Sequence, residues 1–307
     1  MLQPLHHYMR LGIVYFVAYP CQSGDGPILE SLRKICADPC FEAIEITWIR
    51  DAAIREQAIA MIESSGISAC YVAHPWLLSQ NLDLNAEDEE QREKAVDTVC
   101  RAIDDASGYG VDCVSLLSGP YPGPERRDAA MDRLTESLVQ ICEYAAAKRI
   151  NVVLEVFDQE IDKKRLIGKA GDAKEVAERV SKRSSNFGLL ADLSHLPLLG
   201  ETPAEALRPI QPYLKHVHIG NCYMKDQGNP AWGDMHPRFG YPDSENDEQQ
   251  ITDFFNALFD IGYLKDDADV RPIVSFEVKP VGPEEPDLVI AGCKRKLNAA
   301  WLRVNRK

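Results

Sequence analysis

The chain has 307 residues, 45% of them hydrophobic and 27% charged, with 48 Asp and Glu against 34 Lys and Arg and a formal net charge of -14. That length is ordinary for one α/β barrel and buries a core of useful size. The acidic balance repels a phosphate backbone, so nucleic acid is not expected as a partner. Nine cysteines are scattered singly with no CxxC pair, and Cys36 and Cys40 have no histidine nearby to complete a zinc site. They read as reduced thiols of a cytoplasmic protein. The opening "MLQPLHHYMR" lacks the charged-then-apolar order of a signal peptide. "LGIVYFVAYP" is too short to span a bilayer, so no membrane is expected as a partner.

Taken in chain order, apolar runs and amphipathic segments alternate. "LGIVYFVAY" (11–19) predicts a strand and 27–36 a helix; "FEAIEITWI" (41–49) alternates as a strand, and 51–66 predicts a capped helix ending at Gly66. "ISACYVAHPW" (67–76) is the third strand, followed by a long charged helix over 86–108, whose "AEDEEQREK" start is a solvated face. "VDCVSLLSG" (111–119) and a helix over 125–149 complete the first half. The second half repeats the pattern, with strands at 150–157, 187–193, 215–221 and 272–278. Its helices fall near 172–184, from Pro203, near 247–261 and near 284–303. Eight strand–helix units without a break in composition predict one (β/α)8 TIM barrel over residues 1–307, with a long active-site loop at 221–247. A doubly wound open sheet is the competing architecture, but "AYPCQSGDGP" after the first strand is not GxGxxG.

Barrel chemistry sits at the C-terminal ends of the strands. Strand five ends in "LEVFD" with Glu155, strand six in "ADLSH" with Asp192 and His195, strand seven in "HVHIGN" with His216 and His218, and strand eight in "SFEVKP" with Glu277 and Lys279. Each residue alone is weak: a lone strand-end Glu is more often a salt bridge and a lone strand His more often a hydrogen-bonded core residue. Four consecutive strands carrying such residues at one rim are far more specific, because neighbouring strands lie about 5 Å apart. Glu155, Asp192, His218 and Glu277 form a set of three carboxylates and one imidazole. It suits a divalent ion, Mn²⁺ by preference, with Mg²⁺, Co²⁺ or Zn²⁺ as alternatives. His218 is nearer the strand end than His216 and is the expected ligand. His216 lies deeper and is expected to support the site or the core.

"LEVF", "ADLSHLPL", "HVHIGN" and "SFEVKP", in this order, resemble the xylose-isomerase-like TIM barrels, a superfamily that includes ketose 3-epimerases, hydroxypyruvate isomerase, inosose dehydratase and endonuclease IV. The resemblance covers nearly the whole chain and is strongest over 150–280. It implies that Glu155, Asp192, His218 and Glu277 are the metal ligands, and that His195 matches the position that contacts substrate oxygen. The epimerases carry a further Glu and an Arg in the loops after strands five and seven. Here "FDQEIDKKRLIG" does not align the Glu, and "NCYMKDQGNPAWGDMHPRFGYPDSEN" replaces a short Arg-containing segment, which leaves the sugar open. The endonuclease branch uses many more histidines than the seven present here. A narrower resemblance is to the larger subunit of a two-subunit deglycosidase that cleaves 3-keto C-glycosides. An oligomer is expected, with a second small subunit in that branch.

A divalent ion with open positions binds a carbonyl and an adjacent hydroxyl and stabilises an enediolate, while a carboxylate removes the proton next to the carbonyl. Glu155 and Glu277 are the candidate bases. Proton return to the opposite face epimerises and return to the neighbouring carbon isomerises. Loss of a substituent makes a lyase, either a dehydratase or a C-glycoside deglycosidase. The expected function is a metal-dependent sugar isomerase or epimerase acting on a ketose or keto-sugar derivative. A lyase on the same site is the alternative, and a non-catalytic sugar-binding barrel is the remote one. His74 and Trp76 in "AHPW" reach the rim of strand three. The loop after strand seven holds Trp232, Asp234, His236, Arg238 and Phe239. His74, His236 and Arg238 join His195 as expected substrate contacts; a mobile insert or an oligomer contact is the other reading of the loop.

Overall fold

The computed structural model describes residues 3–21 and 23–305. Eight parallel strands form one sheet: β1 (Arg10–Ile13), β2 (Ala43–Ile46), β3 (Ser68–Val72), β4 (Cys113–Leu117), β5 (Asn151–Glu155), β6 (Phe187–Asp192), β7 (Leu214–Gly220) and β8 (Ile273–Glu277). Their order is β1-β8-β7-β6-β5-β4-β3-β2. The remaining seam between β1 and β2 is drawn together by a bridge between Val14 and Glu45 and by the Glu42 N–H donating to the Leu11 carbonyl at 2.8 Å. Helices separate the strands, and the result is a single (β/α)8 TIM barrel. Parallel strands are covered on both faces, and every residue of β2 and of β6 is accordingly buried.

Local chemistry sets the element ends. Asp51 accepts the N–H groups of Ala53 and Ile54 to start the helix Ala52–Ser65, which stops at Gly66 in the left-handed conformation (φ 71°). Thr202 and Glu205 form a capping box at Pro203–Leu207. Two sequence expectations change. The run 11–19 is not one strand: β1 ends at Ile13 and Tyr15–Ala18 is a buried helical turn, anchored by the Tyr15 hydroxyl donating to the Ile28 carbonyl at 3.0 Å. A short run that is buried throughout carries no periodicity to tell strand from helix. The run 67–76 likewise splits. β3 ends at Val72 and His74 opens the short helix His74–Leu78, where Pro75 fits a first turn that needs no N–H.

The barrel axis is filled from the N-terminal end by small residues. A Cβ on Gly12 would lie 2.3 Å from Ser275 Oγ and 3.2 Å from Ala43 Cβ, so only glycine fits there. Glu45, His216 and His218 are buried above this layer. At the floor, the N-terminal end of the strands, a cavity of about 780 Å³ is lined by residues that include Arg10, Cys70, Cys113, Tyr263 and Arg271. None of the nine cysteines is in a disulfide. Among the described residues no helix is long and apolar enough to cross a membrane.

Candidate active site

Glu155, Asp192 and Glu277 are the last residues of β5, β6 and β8, and His218 lies on β7 opposite Asp192 on one side and Ser275 on the other. One side-chain atom from each of Glu155, Asp192, His218 and Glu277 lies within 4.8 Å of those of the other three. The structure therefore brings the four expected ligands to one point. Gly220 makes room beside them, since a Cβ there would sit 2.9 Å from His236 Nδ1 and 3.2 Å from Asp192 Oδ1.

The Asp192 carboxylate divides its work. Oδ1 accepts the Ser194 N–H at 2.7 Å, a local turn bond, whereas the buried Oδ2 has no hydrogen-bond partner among the described residues. His218 Nδ1 and Glu277 Oε2 lie 2.8 Å apart, yet neither makes a well-oriented hydrogen bond. Buried carboxylates facing one another are costly unless a cation or protons compensate them. Unpartnered oxygens and one imidazole nitrogen converging on a point fit a divalent ion of the kind that takes oxygen and nitrogen donors.

The side chain behind His218 is Glu45, which lies within β2 and not at a strand end. His218 Nε2 donates to Glu45 Oε1 at 3.0 Å and His216 Nε2 donates to the same oxygen at 2.8 Å. A carboxylate can only accept, so His218 carries its proton on Nε2 and turns Nδ1 to the four-residue point. Burial opposes the charged form of Glu45, but the two imidazoles outweigh it and hold its pKa well below the usual range. Burial also opposes charge on His218, yet Glu45 and Glu277 raise its pKa well above the usual value. A cation at the point would replace the second imidazole proton. His216 thus supports Glu45 from below. A glutamate in the middle of a buried strand was the available signal, because such a group persists only when paired.

A second group stands over the first. His195 begins the short helix His195–Leu199; its Nδ1 donates to the Val156 carbonyl at 2.6 Å, which leaves Nε2 3.2 Å from Asp234 Oδ1. The segment 221–247 folds back through a Tyr223–Gly233 bridge and carries Asp234 and His236 into the barrel mouth, both buried. His236, in the left-handed conformation (φ 51°), places Nε2 3.1 Å from Asp234 Oδ1 and 3.5 Å from Glu277 Oε1. Asp234 is fixed in turn: its N–H donates to Asp162 Oδ2 at 2.9 Å, and Lys163 Nζ donates to its carbonyl at 3.0 Å. Burial works against a charged His195, but Asp234 outweighs it and raises the pKa to about 10. Burial likewise opposes charge on Glu277, and there His236 and His218 prevail and bring it to about 2.

His74 Nε2 is 3.4 Å from Glu155 Oε2, and burial lowers its pKa to about 4, so it is neutral at neutral pH. Trp76 donates its indole N–H to the Tyr71 hydroxyl at 2.9 Å, and its ring meets that of Trp48 at 5.1 Å. Lys279 borders the cleft, and its backbone N–H donates to the His236 carbonyl at 2.6 Å. Arg238 is not brought to the site. Its Nε donates to Glu284 Oε1 at 2.8 Å and its Nη1 to the Gly240 carbonyl at 3.0 Å, so the structure does not bring this expected substrate contact together with the others. Arg238 does not border the cleft that His74, Glu155, Asp234 and His236 line. The mouth opens into a cleft of about 550 Å³ that His74, Glu155, Asp234, His236 and Glu277 help to line.

The family model of the xylose isomerase-like TIM barrel matches residues 36–292. The chain belongs to this family. Among solved structures, a D-tagatose 3-epimerase-like protein shares 19% identity at a TM-score of 0.70, covering 97% of this chain and 100% of that one. A D-psicose 3-epimerase from Clostridium cellulolyticum H10 shares 19% identity at a TM-score of 0.67, covering 96% of this chain and 98% of that one. A 3-keto-D-glucoside 4-epimerase from E. coli shares 17% at a TM-score of 0.63, covering 97% of this chain and 100% of that one. At these identities the likeness carries the fold, and within the xylose isomerase-like barrels function resides in the site and its loops. No curated protein matches the sequence.

Proposed function

We propose that this xylose isomerase-like barrel is a divalent-metal-dependent sugar isomerase or epimerase that moves a proton on a ketose or keto-sugar derivative. The observation that carries this reading is the convergence of Glu155, Asp192, His218 and Glu277 on one buried point with unpartnered atoms. These four residues would hold the ion, Mn²⁺ by preference with Mg²⁺, Co²⁺ or Zn²⁺ as alternatives. When bound, it polarises a carbonyl and stabilises the negative charge that develops beside it.

The chain supplies the rest. Glu155 and Glu277 stand on β5 and β8 with β6 and β7 between them, so they approach a substrate from two sides. One takes the proton from the carbon next to the carbonyl and the other returns one. His195 and His236, both braced by Asp234, offer imidazole nitrogens to substrate oxygens, and neutral His74 offers one to a hydroxyl. Asp234 and Lys163 keep the two imidazoles in place without touching the reacting carbon. The named neighbours act on ketoses or on a keto-glucoside, which supports a keto-sugar substrate for this site. We further propose a cytoplasmic enzyme that works as an oligomer.

A panel of ketoses and keto-glycosides incubated with Mn²⁺-loaded protein in D₂O tests the reading. The expected result is deuterium at a carbon next to the carbonyl and a product isomeric with the substrate. A product lighter by water or by an aglycone replaces it with a lyase, and a panel with neither exchange nor product overturns it.

A further inference from the structure

The cysteines are scattered singly along the chain, but the barrel brings two of them together. β3 and β4 pair at Tyr71–Val114 and Val72–Ser115, and one step toward the floor the same register sets Cys70 beside Cys113. Side chains alternate along a strand. Tyr71 points outward, where its hydroxyl donates to Asp105 Oδ2 at 2.6 Å on the helix Glu89–Ser107, so Cys70 points into the barrel. Cys113 shares that inner face. It packs against the buried group of Ala43, Cys70 and Ile273, and both cysteines line the floor cavity. The Cys113 side chain is within hydrogen-bonding reach of the Cys70 thiol, and this contact together with burial pushes Cys70 well above the usual thiol range. Cys70 is buried, whereas Cys113 is half-buried and the more accessible of the two.

Neighbouring strands lie about 5 Å apart, inside the Cα separation of roughly 4.4–6.8 Å that a disulfide spans. The β3–β4 ladder stops short of this pair, so the strand ends can make the adjustment that a disulfide dihedral asks for. We infer that Cys70 and Cys113 are a peroxide-sensitive thiol pair that closes to a reversible disulfide at the barrel floor. Hydrogen peroxide is small enough to enter through the floor cavity. The Cys113 sulfur attacks it as a thiolate: an S–O bond forms, the O–O bond breaks, and the departing hydroxide takes up the thiol proton as water. The Cys70 sulfur then attacks the Cys113 sulfenic sulfur. The S–S bond forms, the S–O bond breaks, and the hydroxyl leaves with the Cys70 proton as a second water. Two thiols are oxidised and one peroxide is reduced to two waters. A dithiol reverses the step by exchange.

Peptide mapping of the folded wild-type protein tests this. The protein is treated with hydrogen peroxide, its remaining thiols are blocked with iodoacetamide, and the unreduced digest is read by mass spectrometry. The expected result is a joined Cys70–Cys113 peptide pair, lighter by two hydrogens than the separate thiol peptides, which comes apart in dithiothreitol. In Cys70→Ser no second thiol consumes the sulfenic acid, so dimedone is expected to label Cys113 there and not in the wild-type protein. The wild-type map stands by itself if that variant does not fold. Free thiols at both positions after peroxide, sulfinic acid at either position without a link, or a link from either one to a different cysteine overturns the inference and leaves the pair as packing of the floor.

Discussion

The two ends of the barrel differ in a way that volume does not reveal. The floor holds the larger cavity, about 780 Å³ against about 550 Å³ at the mouth. Yet the floor's polar groups find partners within the protein. Tyr263 donates to the Ile273 carbonyl at 2.7 Å, Arg10 Nε to the Arg271 carbonyl at 3.0 Å, and Arg271 Nη2 to Glu42 at 2.6 Å. At the mouth, Asp192 Oδ2, His218 Nδ1 and Glu277 Oε2 are buried without a well-oriented partner among the described residues. Polar groups left unpaired at a cost in stability mark a site where an outside group completes the bonding. A roomy cavity whose polar lining is already satisfied does not.

Substitutions at the two ends should separate accordingly. The largest effect is expected for Glu155→Gln or Glu277→Gln, which should each lower turnover by about 10²–10⁴-fold, the usual worth of a positioned acid or base. Steady-state rates on whichever keto-sugar the exchange panel reveals would check this, with the floor substitution Cys113→Ser as the unaffected control. Next comes Glu45→Gln. It touches no substrate, but it weakens the bond that orients His218, and metal affinity measured by chelator competition should fall about 10–100-fold. Tyr263→Phe at the floor should cost about 1 kcal/mol of stability in urea denaturation, the worth of one hydrogen bond, with metal affinity unchanged. The smallest effect is expected for Arg238→Ala. Its partly exposed pair with Glu284 is worth about 1 kcal/mol at most, and kcat/KM should stay within about twofold.

Sequence reading reached the four-residue point because β5, β6 and β8 each end a mostly apolar run with a carboxylate, β7 carries His218 two residues before its end, and barrel geometry sends those ends to the same rim. It missed Glu45 because that residue sits within β2, below the rim, where only its pairing with His216 and His218 gives it a role. Asp234 and His236 lie in a segment without periodicity. Their arrival at the mouth depends on the Tyr223–Gly233 bridge and on Asp162 and Lys163 from another loop, and no local pattern encodes such long-range contacts. The same limit explains Arg238: two residues from His236 in sequence, it turns the other way to meet Glu284. The turns at Tyr15–Ala18 and His74–Leu78 read as continuations of their strands because four- and five-residue helices are too short to show a helical period.

The central claim is that Glu155, Asp192, His218 and Glu277 hold a divalent ion on which proton transfer to a keto-sugar depends. The most direct test is deuterium incorporation from D₂O, followed by NMR on one protein sample before chelation, after removal of metal, and after Mn²⁺ is restored. The account predicts exchange next to the carbonyl that disappears on chelation and returns with Mn²⁺, and that does not return in His218→Gln. Exchange that continues undiminished in the metal-stripped protein would contradict it.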